Sequence, residues 1–418
     1  MMDRSKSPSK PFEISKLEVW ESYQQVRANK GAPGVDGQSI EAFESELKDN
    51  LYRLWNRMSS GTYFPPAVKA VEIPKGASGV RVLGVPTVTD RIAQTVVARQ
   101  LAVRAEPRFH PDSYGYRPGR SAVDAVVVCR QRCWKADWVL RLDIESFFDS
   151  VDHDLMVKAV EANTDAAWVV LYVKRWLVAP MATAEGALVA RDRGTPQGSA
   201  VSPILANLFL HYALDAWLLR EFPAITFERY ADDAVVHCVS RGQALLVLRA
   251  ITRRFVSVGL RLHPDKTRII YCQDGRRTGS HPGTSFEFLG FEFRARSARS
   301  RNGKRFLSFL PAVSKAALKQ MSAQVRAWRL HRWTHLSLSD LARWVVPTVR
   351  GWMNYYGRFY RSKLYQLLIR INSYLVRWAR SKYRRLRSFK RSIAWWRALV
   401  DRASNLFPHW AWARQFVW

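Results

Sequence analysis

The sequence predicts an α+β protein of more than one domain. Three observations carry that reading. The chain of 418 residues is too long for one ordinary core, and its length suggests two to four domains. Through residue 293, short alternating runs of β-branched and aromatic residues end at glycine, proline or aspartate, as strands joined by hairpins do. In the last third, apolar residues instead recur at the 3.6-residue spacing of packed helices.

Taken in order, residues 1–11 read as a polar, flexible tail without the pattern of a signal peptide. A helix is expected over 14–28, then an irregular turn at 29–37 with three glycines and a proline, then a helix whose stripe is Phe43, Leu47, Leu51 and Leu54. Residues 68–74 and 80–86 alternate and stop at prolines, which makes them a hairpin around the loop at 75–79. A helix over 90–106 leads to the loop 113–121, where Tyr114, Tyr116, Arg117 and Arg120 sit among glycine and proline. Residues 138–143 form a buried strand ending at Asp143, and Asp149, Asp152 and Asp154 suit the helix start that follows. The loop 194–199 opens an apolar helix over 203–219. Residues 227–237 are a hairpin with Asp232 and Asp233 at its tip, followed by a helix over 242–258. Residues 286–293 alternate strictly, with Gly290 marking a bulge or close approach. The Arg-, Ser- and Gly-rich stretch 294–305 reads as a linker or exposed loop. Beyond it, one helical stripe holds Leu341, Trp344, Val345, Trp352, Tyr355, Tyr356 and Phe359, and a second runs from Leu364 to Trp378.

Charge divides the chain further. The net charge is +31, and residues 294–418 hold 28 Lys/Arg against two acidic residues, leaving the first 293 residues at +5. Ten of the 17 tryptophans lie in that same basic third. Cations neutralise phosphate while aromatic rings stack on unpaired bases, so RNA is the expected partner of this region. The uncharged run 194–214 is interrupted by Pro196, Gln197, Pro203 and Asn207, which argues against a membrane span. The four cysteines form no C-x-x-C pair, so neither a zinc site nor a disulfide framework is indicated and a reduced cytosolic protein fits best.

An adjacent Asp-Asp between strands is by itself most often a turn. Asp143 changes the balance, because a carboxylate in an apolar strand needs a partner charge. Three carboxylates brought together repel one another unless cations lie between them, and two hard cations so held can drive phosphoryl transfer. Lys75 and Arg81 on the first hairpin are either solvated strand charges or a clamp for a triphosphate.

Taken together, residues 230–233 (Tyr-Ala-Asp-Asp), 142–149 (Leu-Asp-Ile-Glu-Ser-Phe-Phe-Asp), 196–198 (Pro-Gln-Gly) and 288–290 (Phe-Leu-Gly), with the 29–37 turn and the 114–121 loop, resemble the reverse transcriptases encoded by bacterial group II introns. The resemblance covers about residues 25–380 and implies a right-hand polymerase, with fingers and an antiparallel palm sheet followed by an all-α thumb and maturase domain. The implied segments are an N-terminal extension and fingers over 12–130, a palm over 131–293 with finger segments interleaved, and a thumb/maturase domain over 294–383; the basic, Trp-rich tail over 384–418 matches no family segment and is by composition a candidate for nucleic-acid binding. It implies metal binding by Asp143, Asp232, Asp233 and the carbonyl of Ile144, with two Mg2+ ions for which Mn2+ substitutes. Lys75 and Arg81 would contact the triphosphate, Phe148 would exclude a ribose 2′-hydroxyl, Gln197 would line the nucleotide pocket, and Lys266 would protonate pyrophosphate. Tyr230, Phe288, Leu289 and Gly290 would hold the primer, and Tyr114, Arg117 and Arg120 the template.

The implied partners are an RNA template, a DNA or RNA primer, deoxynucleoside triphosphates, intron RNA and target DNA, in a bacterial cytoplasm and without a membrane. Residues 350–357 resemble the most recognisable maturase segment. With no cysteine after Cys272, the zinc-supported endonuclease of many relatives is expected to be lacking. Two other readings stay open: a domesticated reverse transcriptase serving defence, spacer acquisition or repair, and a non-catalytic RNA-binding splicing factor.

Overall fold

The computed structural model describes residues 10–74 and 79–416. The chain forms two compact units, each discontinuous in sequence. Unit 1 comprises residues 1–121, 142–236 and 242–267, and unit 2 comprises 122–141, 237–241 and 268–418. Strands are numbered β1 (Val68–Pro74), β2 (Val80–Val85), β3 (Trp138–Asp143), β4 (Met181–Ala182), β5 (Leu188–Val189), β6 (Thr226–Tyr230), β7 (Asp233–Cys238), β8 (Arg268–Tyr271), β9 (Ser285–Phe288), β10 (Phe291–Arg299) and β11 (Arg305–Val313).

In unit 1 the expected first hairpin is antiparallel, with Lys69 opposite Val85 and Pro74 opposite Val80, and it belongs to a sheet ordered β2-β1-β4-β5. The core is organised around the helix Val88–Ala105, which buries Ile92, Ala93, Val96, Val97 and Leu101. Thr87 caps its start by accepting the Asp90 N–H at 3.1 Å. The first helix, Lys16–Asn29, begins in a capping box between Ser15 and Glu18. The stripe through Phe43 and Leu54 is two helices, Ile40–Glu44 and Leu47–Ser59. The apolar helix expected over 203–219 is likewise not continuous. Ser202–Leu210 passes through a π-helical turn at His211–Asp215 into Ala216–Glu221.

A second sheet has the order β6-β7-β3-β8, and the unit boundaries cut β3 after Arg141 and β7 after Val236. Unit 2 contains the three-stranded sheet β11-β10-β9 and the helices that follow it. Here the expected linker or exposed loop is corrected in part: β10 continues through Arg299 and turns back into β11, with Arg299 opposite Arg305, so that only 300–304 is an exposed turn. The Arg-Ala-Arg-Ser-Ala-Arg run alternates, but its small and charged residues carry the composition of a loop. The helices Leu338–Tyr356 and Tyr365–Lys382 share a core containing Leu341, Val345, Leu368, Ile371, Leu375 and Trp378. Trp344 of the first stripe departs from this pattern. It is 45% exposed, with its ring 4.6 Å from that of Trp333. All four cysteines are buried, and none is in a disulfide. Among the described residues, no helix is long and apolar enough to cross a membrane.

Candidate active site

In unit 1 a cleft of about 970 Å³ is lined by residues from the strand ends and loops that the sequence singled out. Asp143 ends β3 there. Its carbonyl accepts the His263 N–H at 2.8 Å, and Ile144 bridges antiparallel to Leu262, so the segment 261–267 fixes the strand end. Lys266 closes against it, with Nζ 3.2 Å from Asp143 Oδ2. Asp232 faces the same cleft from the turn between β6 and β7. Burial raises its pKa above the usual carboxylate value and the charge of Asp143 raises it further, while Arg81 and Arg229 oppose the rise. Two carboxylates thus share one partly desolvated space. Asp233 opens β7 beside Asp232 and is not among the residues lining the cleft.

The nucleotide-binding candidates divide similarly. Arg81, Phe148 and Gln197 line the cleft, whereas Lys75 lies outside the described residues. Phe148 is half-buried on the short helix Phe147–Ser150, with its ring 5.3 Å from the buried ring of Phe147. Gln197 sits in a loop held against β2, where its carbonyl accepts the Gly84 N–H at 2.7 Å. Gly198 has φ +107°, and a Cβ there would stand 2.7 Å from the Gly84 carbonyl oxygen, so both the conformation and the close approach require glycine. Behind the loop, the Gln94 side-chain carbonyl accepts from Ser199 Oγ at 2.6 Å and from the Ala200 N–H at 2.8 Å.

The 113–121 loop differs from its expected role. Tyr114 is buried, and Arg117 bonds to Glu106 and to the carbonyls of His110 and Ser113 at 2.8, 2.6 and 2.7 Å. These two side chains hold the loop together instead of reaching outward. Arg120 is exposed, with its guanidinium 5.8 Å from the Tyr114 ring centroid. The residue that lines the cleft is Tyr116, which is 57% exposed and 6.3 Å from Tyr230 between ring centroids. Its identity as an aromatic in a Gly/Pro loop was visible in sequence, but nothing local separates it from Tyr114. In unit 2, Phe288 is buried, while Leu289 (φ +51°) and Gly290 (φ +78°) make the tight turn between β9 and β10. The Tyr355 hydroxyl donates to the Leu289 carbonyl at 2.9 Å and fixes that turn.

Oxygen donors are the ligands that hard divalent cations take, and the cleft offers the carboxylates of Asp143 and Asp232 with Ile144 beside them. The residues present therefore fit such ions.

Comparison with known proteins agrees with this chemistry. Residues 73–293 match the family described as reverse transcriptase (RNA-dependent DNA polymerase). Residues 318–396 match the maturase-specific domain of group II introns. Protein YkfC of Escherichia coli is 30% identical over 326 residues, 68% of this chain and 82% of that protein. The group II intron-encoded protein LtrA of Lactococcus lactis is 30% identical over 202 residues, 48% of this chain and 33% of LtrA. A putative COX1/OXI3 intron 1 protein of Saccharomyces cerevisiae is 26% identical over 197 residues, 47% of this chain and 23% of its own length. With the polymerase match spanning more than half of the chain and the maturase match following it in order, the chain belongs to the reverse transcriptase (RNA-dependent DNA polymerase) family, of the group II intron type.

Proposed function

We propose that the unit 1 cleft copies RNA into DNA by metal-assisted nucleotidyl transfer, with Asp143 and Asp232 as the principal metal-holding carboxylates, Asp233 as the third and the Ile144 carbonyl as an added ligand. The observation that carries this reading is the pairing of Asp143 with Asp232 in one cleft, where burial and mutual charge hold the Asp232 carboxyl above its usual pKa. The family implies a divalent metal, and two bound Mg2+ ions, or Mn2+ in their place, would supply Lewis-acid stabilisation of phosphate charge. In the reaction, the primer 3′-oxygen bonds to the α-phosphorus of a deoxynucleoside triphosphate. The bond from that phosphorus to its bridging oxygen breaks, pyrophosphate leaves, and the 3′-hydroxyl loses its proton.

Arg81 and Lys75 hold the triphosphate, Gln197 lines its pocket, and Phe148 stands where a 2′-hydroxyl would clash. Lys266, already beside Asp143, is suited to pass a proton to the departing pyrophosphate. Tyr230 and the Phe288–Gly290 turn guide the primer, and Arg120 contacts the template. The expected division into fingers over 12–130, palm over 131–293 and thumb/maturase over 294–383 remains the reading of the fold.

The basic helical region and its maturase match support binding of intron RNA to promote splicing and retrohoming, and the composition of the 384–418 segment makes it a candidate for a further nucleic-acid contact. Four buried cysteines, none in a disulfide, suit the reducing cytoplasm of a bacterium. Asp232→Asn tests the centre of the proposal. Primer extension on an RNA template should fall at least about a hundredfold while RNA binding is unchanged. Extension at the original rate would remove Asp232 from the chemistry.

A further inference from the structure

The turn that carries Asp232 is under tension that the sequence does not announce. Ala231 has φ +54°, a left-handed conformation that is unfavourable for a residue with a Cβ. It is 4% exposed and pressed against the 113–121 loop, where a Cβ on Gly115 would stand 2.4 Å from the Ala231 nitrogen. Only glycine lets the two backbones approach so closely.

What holds this turn is a buried charge. Arg229, fully buried in β6, donates from Nη1 to the Ala231 carbonyl at 3.1 Å and to Asn207 Oδ1 at 3.0 Å. Its other edge grips Asp215, also fully buried, with Nε to Oδ1 at 2.7 Å and Nη2 to Oδ2 at 2.5 Å. Asn207 in turn donates to the Gly115 carbonyl at 2.6 Å, so the same lattice fixes both sides of the close approach. The backbone of Arg229 is pinned as well, its N–H to Asp112 and its carbonyl to the Tyr114 N–H, at 2.9 and 2.8 Å.

Asp215 is the last residue of the π-helical turn His211–Asp215. Such turns are rare and concentrate at functional sites, because they re-aim a side chain that a regular helix would send elsewhere. Stability alone is a poor reason for the arrangement, since a buried ion pair can usually be replaced by apolar groups at no loss.

We propose that Arg229, clamped by Asp215 and Asn207, is a positioning residue that sets the Asp232 carboxylate relative to Asp143 by fixing the Ala231 carbonyl and its strained turn. The proposal rests on the reading of Asp143 and Asp232 as metal-holding groups. A one-edged cation such as lysine cannot hold a carboxylate, an amide and a backbone carbonyl in one plane.

The test uses the full chain with an RNA–DNA primer–template. Arg229→Lys should retain the wild-type circular dichroism spectrum and RNA affinity. Its single-turnover extension rate should fall about 10- to 100-fold, its half-saturating Mg2+ concentration should rise several-fold, and its KM for deoxynucleotide should stay within about twofold. Mn2+ binding followed by electron paramagnetic resonance should weaken by a similar factor without any turnover.

Because a lone buried charge endangers folding, the pair is also removed together, as Arg229→Met with Asp215→Leu. This double variant should fold yet keep the raised Mg2+ requirement and the weakened Mn2+ binding. Unchanged metal dependence and Mn2+ affinity in either folded variant would overturn the positioning role. Failure of the underlying reading would appear separately, as an Asp232→Asn protein that still extends primers and binds Mn2+ normally.

Discussion

In the proposed function, Phe148 is the side chain that sets the choice between deoxynucleotide and ribonucleotide. Its ring is half-buried, and it is backed by Phe147, whose own ring lies 6.3 Å from that of Phe209 in the core. A wall supported in this way cannot swing aside cheaply to admit a 2′-hydroxyl, because moving it disturbs packed neighbours. Phe148→Ala should therefore lower discrimination against ribonucleotides by up to about a hundredfold, read as the ratio of kcat/KM for a ribonucleotide and its deoxy counterpart. An unchanged ratio would assign the selectivity to another residue. Asp143, Asp232, Phe148 and Gln197 were all legible from the sequence, since each lies in a short motif at a strand end or loop. Arg229 was not. A charged residue among strand formers reads as outward-facing, and its partner Asp215 stands 14 residues earlier inside an apolar run. Only the tertiary fold shows that these two charges are buried against each other.

At the scale of elements, the helix Val88–Ala105 connects the core of unit 1 to the Gln197 loop through a single turn. Asp90 is fully buried and receives Tyr63 Oη at 2.8 Å, Trp176 Nε1 at 2.7 Å and Gln94 Nε2 at 2.8 Å, while Gln94 holds Ser199 and Ala200 by its other end. Burial pushes the Asp90 carboxyl up to about 6 from 3.8, although all three donors favour the ionised form. Between these two values the folded protein keeps a proton that the unfolded chain has lost. The contribution of Asp90 to stability is thus present below pH 3.8 and is lost as pH rises through about 6, a change of about 3 kcal/mol. Asp90→Asn cannot titrate. Denaturant unfolding of both proteins should show the wild type's advantage over the variant to be greater at pH 4 than at pH 7 by most of that amount, and taking the difference cancels groups common to both. A pH-independent difference would remove Asp90 as the source. The sequence disclosed the helix and its acidic first turn but not the burial, which depends on Tyr63 and Trp176 arriving from elsewhere in the chain. The same limit hid the π-turn, whose apolar residues satisfy a regular helix equally well, and the extension of β10, whose arginines and serines resemble a loop.

For the whole molecule, the separation of charge matters more than its total. Unit 1 carries the carboxylates of the cleft, whereas residues 294–418, all within unit 2, hold 28 Lys/Arg against two acids. That asymmetry was read directly from composition. The division into units was not, because the chain changes unit within β3 and within β7, where alternation continues without a break. A basic surface of this kind binds polyanions by releasing condensed counterions, so RNA affinity should fall linearly on a log–log plot against salt. Within it, His331, Arg377, Arg380, Ser381 and Arg387 line a cavity of about 420 Å³ with no carboxylate among them. The side chains of Arg377 and Arg387 are exposed there, so exchanging them removes charge without opening the core. If each neutralises one phosphate of a single-stranded segment, Arg377→Gln with Arg387→Gln should reduce the salt slope by about 1.4 and weaken intron RNA binding most at low salt. Extension at saturating primer–template should be unaffected, since neither residue belongs to the cleft. Filter-binding titrations from 50 to 300 mM salt separate the outcomes. A lower affinity with an unchanged slope would mean that the two arginines act through local structure, whereas a reduced slope assigns them to phosphate contacts.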